Sequence, residues 1–415
     1  MRWISLILIF LTTLIIYADK IVIGFAAEPL MKEFSLNASQ WGLVGSSFFV
    51  LYIITSFIGG TWSDRLGTTR MLFIVLAGVS IIQFGAIAIA GFSMLIVYRI
   101  LLGALEGPYY PTGLSHISQI FPENLRGLAM SVMIAGGSIG GIVCAPILVS
   151  LIENVGWRWT FVSLGFVSLM VLMIWALVNR YDKKKQKVSR NEAPKLKWKD
   201  IAPVLRNPAC FLTIALSASS YWLITWMALW APVYLTKVVK LAPMQMAFAI
   251  SGTGIASIVL VLLISSFSDF IFKKTESYRK ARVWVAGIST LIGGLALASI
   301  PLLGNSFIWI VVALCVAKGV TYVNVSMSAQ VMINLMPERA GFMTSILSLG
   351  NNVTQLAAPI VTGLLVQAAG SNLARGFHYS IYVMVGLFVI IAILTLLFVK
   401  PDNVKENTTP ERIAM

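Results

Sequence analysis

Charged side chains are scarce in this sequence: 11% of its 415 residues are Asp, Glu, Lys or Arg, against about 25% in an ordinary soluble domain. Histidine and cysteine are also rare, with 2 and 3 residues. Cys144, Cys210 and Cys315 lie in apolar segments and lack the spacing of metal sites or disulfide frameworks, so we interpret them as small hydrophobic residues. His116 and His378 have no ligand cluster around them, and the sequence predicts no metal site and no cofactor.

Long apolar segments are abundant, since 58% of the residues are hydrophobic. Segments of about 20 residues, long enough to cross a bilayer, recur along the whole chain. Hydropathy, with segments divided at clusters of charged residues, Pro and Gly, predicts an all-α membrane protein with twelve transmembrane helices. They lie near residues 3–27, 41–62, 70–91, 94–120, 128–152, 158–179, 208–235, 243–267, 283–303, 307–335, 341–369 and 377–399. We interpret the first segment as a membrane helix and not as a cleaved signal peptide, because its removal would leave eleven spans.

Basic residues mark one side of the predicted membrane. Of the 31 Lys and Arg, 23 fall in alternate loops and at the termini, and only 5 fall in the remaining loops. The positive-inside rule therefore predicts that both termini are cytoplasmic. The net charge of +15 then reflects membrane topology, and we expect no nucleic-acid partner.

Several short sequences recur in order in the two halves of the chain, which indicates a duplicated six-helix unit. The recurring pairs are Pro29 and Pro232, Ser63-Asp64 and Ser268-Asp269, Pro122-Glu123 and Pro337-Glu338, Ala145-Pro146 and Ala358-Pro359, and Gly156 and Gly376. This pattern predicts an N-terminal bundle over 1–180, a cytoplasmic linker over 181–207, a C-terminal bundle over 208–400 and a cytoplasmic tail over 401–415. Two similar bundles suit alternating access to a central site.

The loop after the second predicted helix has the spacing G-x-x-x-D-R-x-G-x-x-R over residues 60–70. It resembles the loop signature of the major facilitator superfamily. Asp64, Arg65 and Arg70 are candidate latch residues, because a carboxylate at a helix boundary can hold a neighbouring basic group or helix end. Asp269 is the corresponding residue of the second half.

Residues 99–111 resemble the fourth-helix signature of the anion:cation symporter family within that superfamily. Residues 17–20, 124–127 and 156–161 match further segments of the same family. The family includes sugar-acid symporters and the animal sialic acid and vesicular glutamate carriers. The resemblance implies that Asp19 and Glu106 take part in proton coupling and that Lys20, where the family has arginine, holds a substrate carboxylate.

Five charged residues fall inside the predicted helices: Asp19, Lys20, Arg99, Glu106 and Lys318. Charges at the centre of a membrane helix are costly, so these are candidate functional residues. Three cations against two carboxylates favour the binding of an anion, and more strongly once the carboxylates are protonated, which provides a route to proton coupling. Arg99 is a candidate substrate-binding residue; it lies about 10 Å along its helix from Glu106, so each needs a partner on another helix. A set of purely structural ion pairs stays open as the alternative.

Polar and aromatic residues add further candidates for substrate binding: Tyr17, Tyr52, Ser348, Asn352 and Gln355. Tyr52 matches a tyrosine of the sugar-acid carriers, and the family has asparagine where Ser348 stands. The amide-rich segment around Asn352 indicates a cavity lining, because polar side chains are rare against lipid. The spacing of Trp222, Trp226 and Trp230 fits either a packed stripe or a gate, and Lys318 has no counterpart in the family.

The sequence lacks the nucleophile–base pair or metal cluster of a membrane enzyme, and we expect the protein not to be an enzyme. The pattern favours proton-coupled symport, by alternating access, of a small organic anion such as a sugar acid. An anion exchanger or a drug or metabolite exporter of the same fold is the alternative. We expect the protein to be a monomer in the inner membrane of a bacterium. Its expected partners are the anion, protons and the lipid bilayer.

Overall fold

The computed structural model describes residues 2–179, 207–304 and 306–401. Within these ranges the regular structure is helical, with no strand. Ten of the described helices are long and apolar enough to cross a membrane. The predicted linker and tail lie outside the described residues, apart from residues 207 and 401.

Fifteen α-helices are numbered here in chain order over the described residues. They are α1 Arg2–Phe25, α2 Ala27–Glu33, α3 Ala38–Leu66, α4 Thr68–Phe84, α5 Phe92–Glu106, α6 Tyr109–Ile120, α7 Glu123–Asn179, α8 Pro208–Leu229, α9 Ala231–Val233, α10 Pro243–Thr275, α11 Val285–Ser299, α12 Phe307–Thr321, α13 Val323–Leu335, α14 Ala340–Ala368 and α15 Leu373–Phe398. Short 3₁₀ turns cover Gly85–Ala88, Ile300–Leu302 and Pro337–Arg339, and π-helical turns cover Tyr234–Val238 and Arg279–Trp284.

Several predicted helices differ from the structure, since those over 208–235 and 307–335 are interrupted after Leu229 and Thr321. The predicted helix over 94–120 is broken, because α5 ends at Glu106 and α6 begins at Tyr109. Pro108, which has no N–H to donate, lies at this break. The predicted helices over 128–152 and 158–179 are joined in α7, where Gly156, with φ 81°, makes a kink. Only glycine adopts this left-handed backbone conformation without strain.

Many exposed side chains of both units are large and apolar. Large hydrophobic side chains point outwards, such as Phe57 and Leu295, each 69% exposed, and Leu302, 81% exposed. Charged and polar side chains are buried instead, among them Asp19, Arg99 and Glu106. This distribution is suited to contact with lipid, because apolar side chains are stable against lipid tails and buried charges are kept away from them.

The described residues form two compact units. Unit 1 draws on Met1–Arg190, Thr225–Gly254 and Leu356–Gly376, and unit 2 on the rest of the chain. Unit 1 therefore includes parts of α8, α10 and α14, and Ser251 of α10 donates to the carbonyl of Ile142 in α7. A Cβ atom at Gly42 of α3 would meet the carbonyl oxygen of Pro359 at 2.5 Å, and Ser46 Oγ donates to the carbonyl of Leu356 at 2.6 Å. The predicted division into 1–180 and 208–400 stays a prediction.

Candidate functional site

Four of the predicted charged residues meet inside unit 1. Asp19 and Lys20 lie on α1, and Arg99 and Glu106 lie on α5. Asp19, Glu106 and Arg99 are 0%, 1% and 3% exposed, whereas Lys20 is partly exposed. Each carboxylate interacts electrostatically with both cations. We call these four residues the charge cluster.

The two cations of the cluster lie against aromatic rings of α3. The Arg99 guanidinium carbon is 4.7 Å from the centre of the Phe48 ring, and Lys20 Nζ is 5.8 Å from the same ring. Lys20 Nζ also lies 4.5 Å from the centre of the Tyr52 ring and donates to Tyr52 Oη at 3.3 Å. The aromatic faces attract both cations and lower the cost of burying them without binding their hydrogen-bond donors tightly.

Hydrogen bonding of the two carboxylates is incomplete. Gln83 Nε2 of α4 donates to Asp19 Oδ1, and Tyr98 Oη donates to Gln83 Oε1 at 2.5 Å. Asp19 Oδ2 and both carboxylate oxygens of Glu106 have no hydrogen-bond partner within the described part of the chain.

None of the ion pairs within 4.0 Å in the described ranges joins two members of the charge cluster. The charges therefore balance each other through space and not by contact. A buried carboxylate in this state can be neutralised by a proton, and a buried cation can accept an anionic ligand.

The other candidate binding residues are distributed over both units. Tyr52 joins the charge cluster through Lys20, whereas Tyr17 packs its ring against α7, where a Cβ at Gly141 would lie 2.9 Å from it. Asn352 and Gln355 belong to unit 2 and bond to each other at 3.0 Å, Gln355 Nε2 donating to Asn352 Oδ1. Ser348 is exposed on α14.

Lys318 lies on α12 and belongs to unit 2, whereas the charge cluster belongs to unit 1. Trp226 and Trp230 are each 1% exposed, and Trp230 Nε1 donates to the carbonyl of Pro359 at 3.3 Å inside unit 1. These contacts favour the packed stripe over an exposed cavity wall for the two residues. Trp222 is partly buried.

The latch candidates differ between the two halves. Asp64, Arg65 and Arg70 are all exposed around the turn at Gly67. In unit 2, Arg282 donates to Asp269 Oδ1 at 2.6 Å and to Ser268 Oγ at 2.5 Å. The sequence predicted Asp269 as a latch residue but did not single out Arg282 as its partner.

Three residues of the cluster's surroundings were also missed: Phe48, Gln83 and Tyr98. Aromatic residues are common in membrane helices, so Phe48 and Tyr98 carry little signal of their own. Gln83 could have been found, because it is an amide in an otherwise apolar segment and a buried amide needs hydrogen-bond partners.

A cavity of about 500 Å³ lies elsewhere in unit 1, at the end of α1 that follows the charge cluster. Its walls include Gly24, Glu28 and Lys237, and no member of the charge cluster lines it. Glu28 and Lys237 form an ion pair there. Across the described ranges, no group of three or more His, Cys, Asp or Glu side chains could hold a metal ion.

Comparison with known proteins identifies the family. The model of the Major Facilitator Superfamily matches residues 9–345 and 281–414. A hexuronate transporter of Bacillus subtilis is 28% identical over 65% of this chain and 65% of its own length, slightly less than two thirds. A D-galactonate transporter of Escherichia coli is 24% identical over 89% of this chain and 90% of its own.

Solved structures give the same result for the fold. A bacterial homologue of the human lysosomal transporter Spinster, in an inward-facing and occupied conformation, superposes with a TM-score of 0.82 at 18% identity, over 99% of both chains. The D-xylose–proton symporter superposes with a TM-score of 0.76 at 16% identity, over 97% of this chain and 99% of its own.

These matches confirm the prediction of a transporter of the bacterial inner membrane that is not an enzyme. They also confirm the family resemblance that was inferred from the loop signature at residues 60–70 and the helix signature at residues 99–111. Sequence and fold agree over almost the whole length, and the chain belongs to the Major Facilitator Superfamily.

Proposed function

We propose that the protein is a proton-coupled symporter that takes up a small organic anion, such as a sugar acid or another carboxylate, by alternating access. The observation that carries this proposal is the charge cluster: two buried carboxylates and two cations converge in unit 1 with no direct ion pair among them. Relatives at 23–28% identity point to the same substrate class, since they are named as transporters of hexuronate, D-galactonate and galactarate or D-glucarate.

The proposed coupling follows from the charge balance of the cluster. With both carboxylates ionised, two cations face two anions, and the space around them is neutral. A proton that neutralises Asp19 or Glu106 leaves a cationic surplus, which attracts a carboxylate from the outer side. Proton and anion then move inwards together, and the loss of the proton to the cytoplasm releases the anion.

Lys20 is the proposed contact for the substrate carboxylate. It is the member of the cluster that is partly exposed, and its ammonium group is held by Tyr52 and not by a carboxylate. Arg99 is 3% exposed, so we propose that it sets the local potential and the positions of the carboxylates. The roles of Asn352, Gln355 and Ser348 in substrate binding stay predictions from the sequence.

The proposed topology has twelve crossings with both termini in the cytoplasm. Ten described helices meet the length and hydropathy of a span, and one of these contains α7, whose length and kink at Gly156 allow two crossings. The α5–α6 pair adds one more, because its two helices together are long enough to span although neither is alone. The excess of Lys and Arg in alternate loops supports the orientation.

The test is uptake into proteoliposomes that contain the purified protein. We expect an inward proton gradient to drive accumulation of a radiolabelled sugar acid, such as D-galactonate or a hexuronate, and an ionophore that collapses the gradient to abolish it. Dicarboxylates and sulfonates should be tested beside them, and empty liposomes provide the background.

An exchanger would give a different result in the same assay. It would take up the labelled anion only against an anion loaded inside, and without dependence on the pH gradient. A drug exporter would transport neutral or cationic compounds and none of the anions. Either result would contradict the proposed function.

A further inference from the structure

A chain of two hydrogen bonds links three helices to the carboxylate of Asp19. Tyr98 of α5 donates to Gln83 of α4, and Gln83 donates to Asp19 of α1. Gln83 and Asp19 are 0% exposed and Tyr98 is 7% exposed, so water does not compete for these bonds at the surface. Both ends of the Gln83 amide are used, as a buried amide requires.

The orientation of the Gln83 amide is fixed by its partners. An ionised carboxylate can only accept, so the Gln83 amide nitrogen faces Asp19, and the amide oxygen on its other side accepts from the Tyr98 hydroxyl. The Tyr98 ring is itself held by stacking on Phe161 of α7, with ring centres 5.9 Å apart and an angle of 1° between the planes. At the root of the glutamine, a Cβ on Gly165 would lie 3.0 Å from Gln83 Cβ, so α7 also limits where this side chain can move.

The two oxygens of Asp19 are therefore not equivalent. Oδ1 accepts from a neutral amide, which stabilises the charged carboxylate and has no proton to give up or take at neutral pH. Oδ2 has no hydrogen-bond partner in the described ranges. A proton taken from outside water can form an O–H bond at Oδ2 and leave from the same atom to water on the inner side. Glu106 has no comparable donor on either oxygen.

Other titratable or charged groups face Asp19 from the helices around it. Lys20 follows it on α1, Arg99, Tyr98 and Glu106 lie on α5, and Cys144 lies on α7. Among these, Arg99 and Lys20 act on Asp19 as through-space charges. Gln83 differs from them because it holds the carboxylate by a directional contact.

We propose that Gln83, oriented by Tyr98, is a positioning residue that holds Asp19 Oδ1 and thereby sets the pH at which Asp19 exchanges its coupling proton at Oδ2. This inference rests on the proposed proton-coupled transport and adds two residues that act through Asp19 without touching the substrate.

The test measures substrate counterflow in proteoliposomes with the same pH on both sides, over a range of pH. Exchange of a loaded carrier requires the protonated site, so its rate falls as the pH rises. Gln83→Leu removes the donor to the charged carboxylate, and we expect the pH of half-maximal counterflow to rise by about one unit, the size expected for one hydrogen bond to a charged group. Tyr98→Phe leaves the amide in place but free to rotate, and a smaller rise is expected.

Matched controls remove nearby hydrogen bonds that do not lead to Asp19. Ser80→Ala alters the residue one turn before Gln83 on α4, whose hydroxyl donates only to the carbonyl of Leu76. Tyr109→Phe removes another buried phenol of the same unit, which donates to the carbonyl of Ile9. Both controls should keep the wild-type pH profile.

The outcomes separate this inference from the function on which it depends. If wild-type counterflow depends on pH while Gln83→Leu and Tyr98→Phe keep its profile, the positioning role is wrong. Equal loss of counterflow at every pH in both variants would also overturn it, because that is the result of a structural defect. If Gln83→Leu does not fold, Gln83→Met and Tyr98→Phe give the same comparison. A wild-type protein whose transport is independent of pH would contradict the proposed function itself.

Discussion

The broken helix pair α5–α6 in unit 1 and the pair α12–α13 in unit 2 are built alike but carry different chemistry. α5 and α12 each contain 15 residues and start 215 positions apart, at Phe92 and Phe307. The same offset relates their last residues, Glu106 and Thr321. Glu106 is a buried acid whose oxygens have no partner in the described ranges, whereas Thr321 Oγ1 donates to the carbonyl of Ala317 at 2.7 Å.

A residue in the first turn of the second helix of each pair continues this contrast. Tyr109 ties α6 to α1 through the carbonyl of Ile9 and the hydroxyl of Thr13, each at 2.7 Å. The equivalent Asn324 ties α13 to α8 and α11, donating to Ser220 Oγ at 3.0 Å and to Thr290 Oγ1 at 2.8 Å. The helix break and its attachment to neighbouring helices are thus common to both units, whereas the two buried carboxylates, Asp19 and Glu106, belong to unit 1. We therefore predict that the scaffold and the proposed proton chemistry are separable.

The largest effect is expected at the position where the two units differ most. Glu106→Gln should lower gradient-driven accumulation by about a hundredfold or more, because an amide cannot take up the coupling proton. Counterflow should survive, since the shape of the side chain is kept. The matched variant is Thr321→Val at the equivalent position of unit 2, which should retain gradient-driven uptake. Equal loss of uptake and counterflow in Glu106→Gln would mean that Glu106 is structural or contacts the substrate.

A second contrast concerns the lysines within the spans. Lys20→Gln should weaken the apparent affinity for the anion by about 10- to 100-fold, the range for one hydrogen bond to a charged group. Lys20→Arg should retain transport, because the positive charge remains. Lys318→Gln in unit 2 should change the affinity by less than about threefold, within the range of a minor electrostatic effect. A larger loss of affinity in Lys318→Gln than in Lys20→Gln would contradict the proposal that the anion contacts Lys20 in unit 1.

Removing the hydrogen bonds that attach the α12–α13 pair to its neighbours should lower stability and leave proton coupling unchanged. Asn324→Leu removes two buried hydrogen bonds, and we expect the free energy of unfolding to fall by about 1–3 kcal/mol. The melting temperature in detergent measures this, and Tyr109→Phe is the corresponding change in unit 1. Neither variant should move the pH of half-maximal counterflow. A shifted pH profile in Asn324→Leu would break the separation between scaffold and proton chemistry.

The smallest effect is expected for a carboxylate that has a direct partner. Glu33 accepts from Arg158 at 2.6 Å and from Trp157 Nε1 at 2.8 Å, and the bond from Arg158 lowers the pKa of the Glu33 carboxyl. Its stabilising effect is present above the ordinary pKa of glutamate and is lost as the pH falls through the lowered value. Glu33→Gln should therefore cost less than about 1 kcal/mol at pH 7, since the pair is partly exposed, and the difference in melting temperature should vanish in strong acid. A difference that grows in acid would contradict this sign.

The sequence predicted the parts of the site that are costly in a membrane. Asp19, Lys20, Arg99 and Glu106 were found because charge inside an apolar segment is rare, and the structure brings these four together. The break at Pro108 was missed, because a hydropathy window continues through a proline that stands among apolar residues. Whether these residues act as assigned stays a prediction.

Neutral partners were beyond that reasoning. Tyr98 and Phe48 gain their importance only from contacts across helices, which one sequence does not reveal, and the amide of Gln83 signals burial but not its partners. The same holds for Asn324, whose two hydroxyl partners lie 104 and 34 positions away in the chain. The partner of Asp269 was not predicted either, since Arg282 lies 13 positions away in the chain and its contact is visible only in the structure.

The central claim is that one entering anion carries a proton with it through the charge cluster. Proteoliposomes loaded with a pH-sensitive dye and held at equal pH on both sides test it most directly when a sugar acid is added outside. We expect the lumen to acidify as the labelled anion enters, with no acidification in Glu106→Gln. Entry of the anion into wild-type vesicles without any change in lumenal pH would contradict the account.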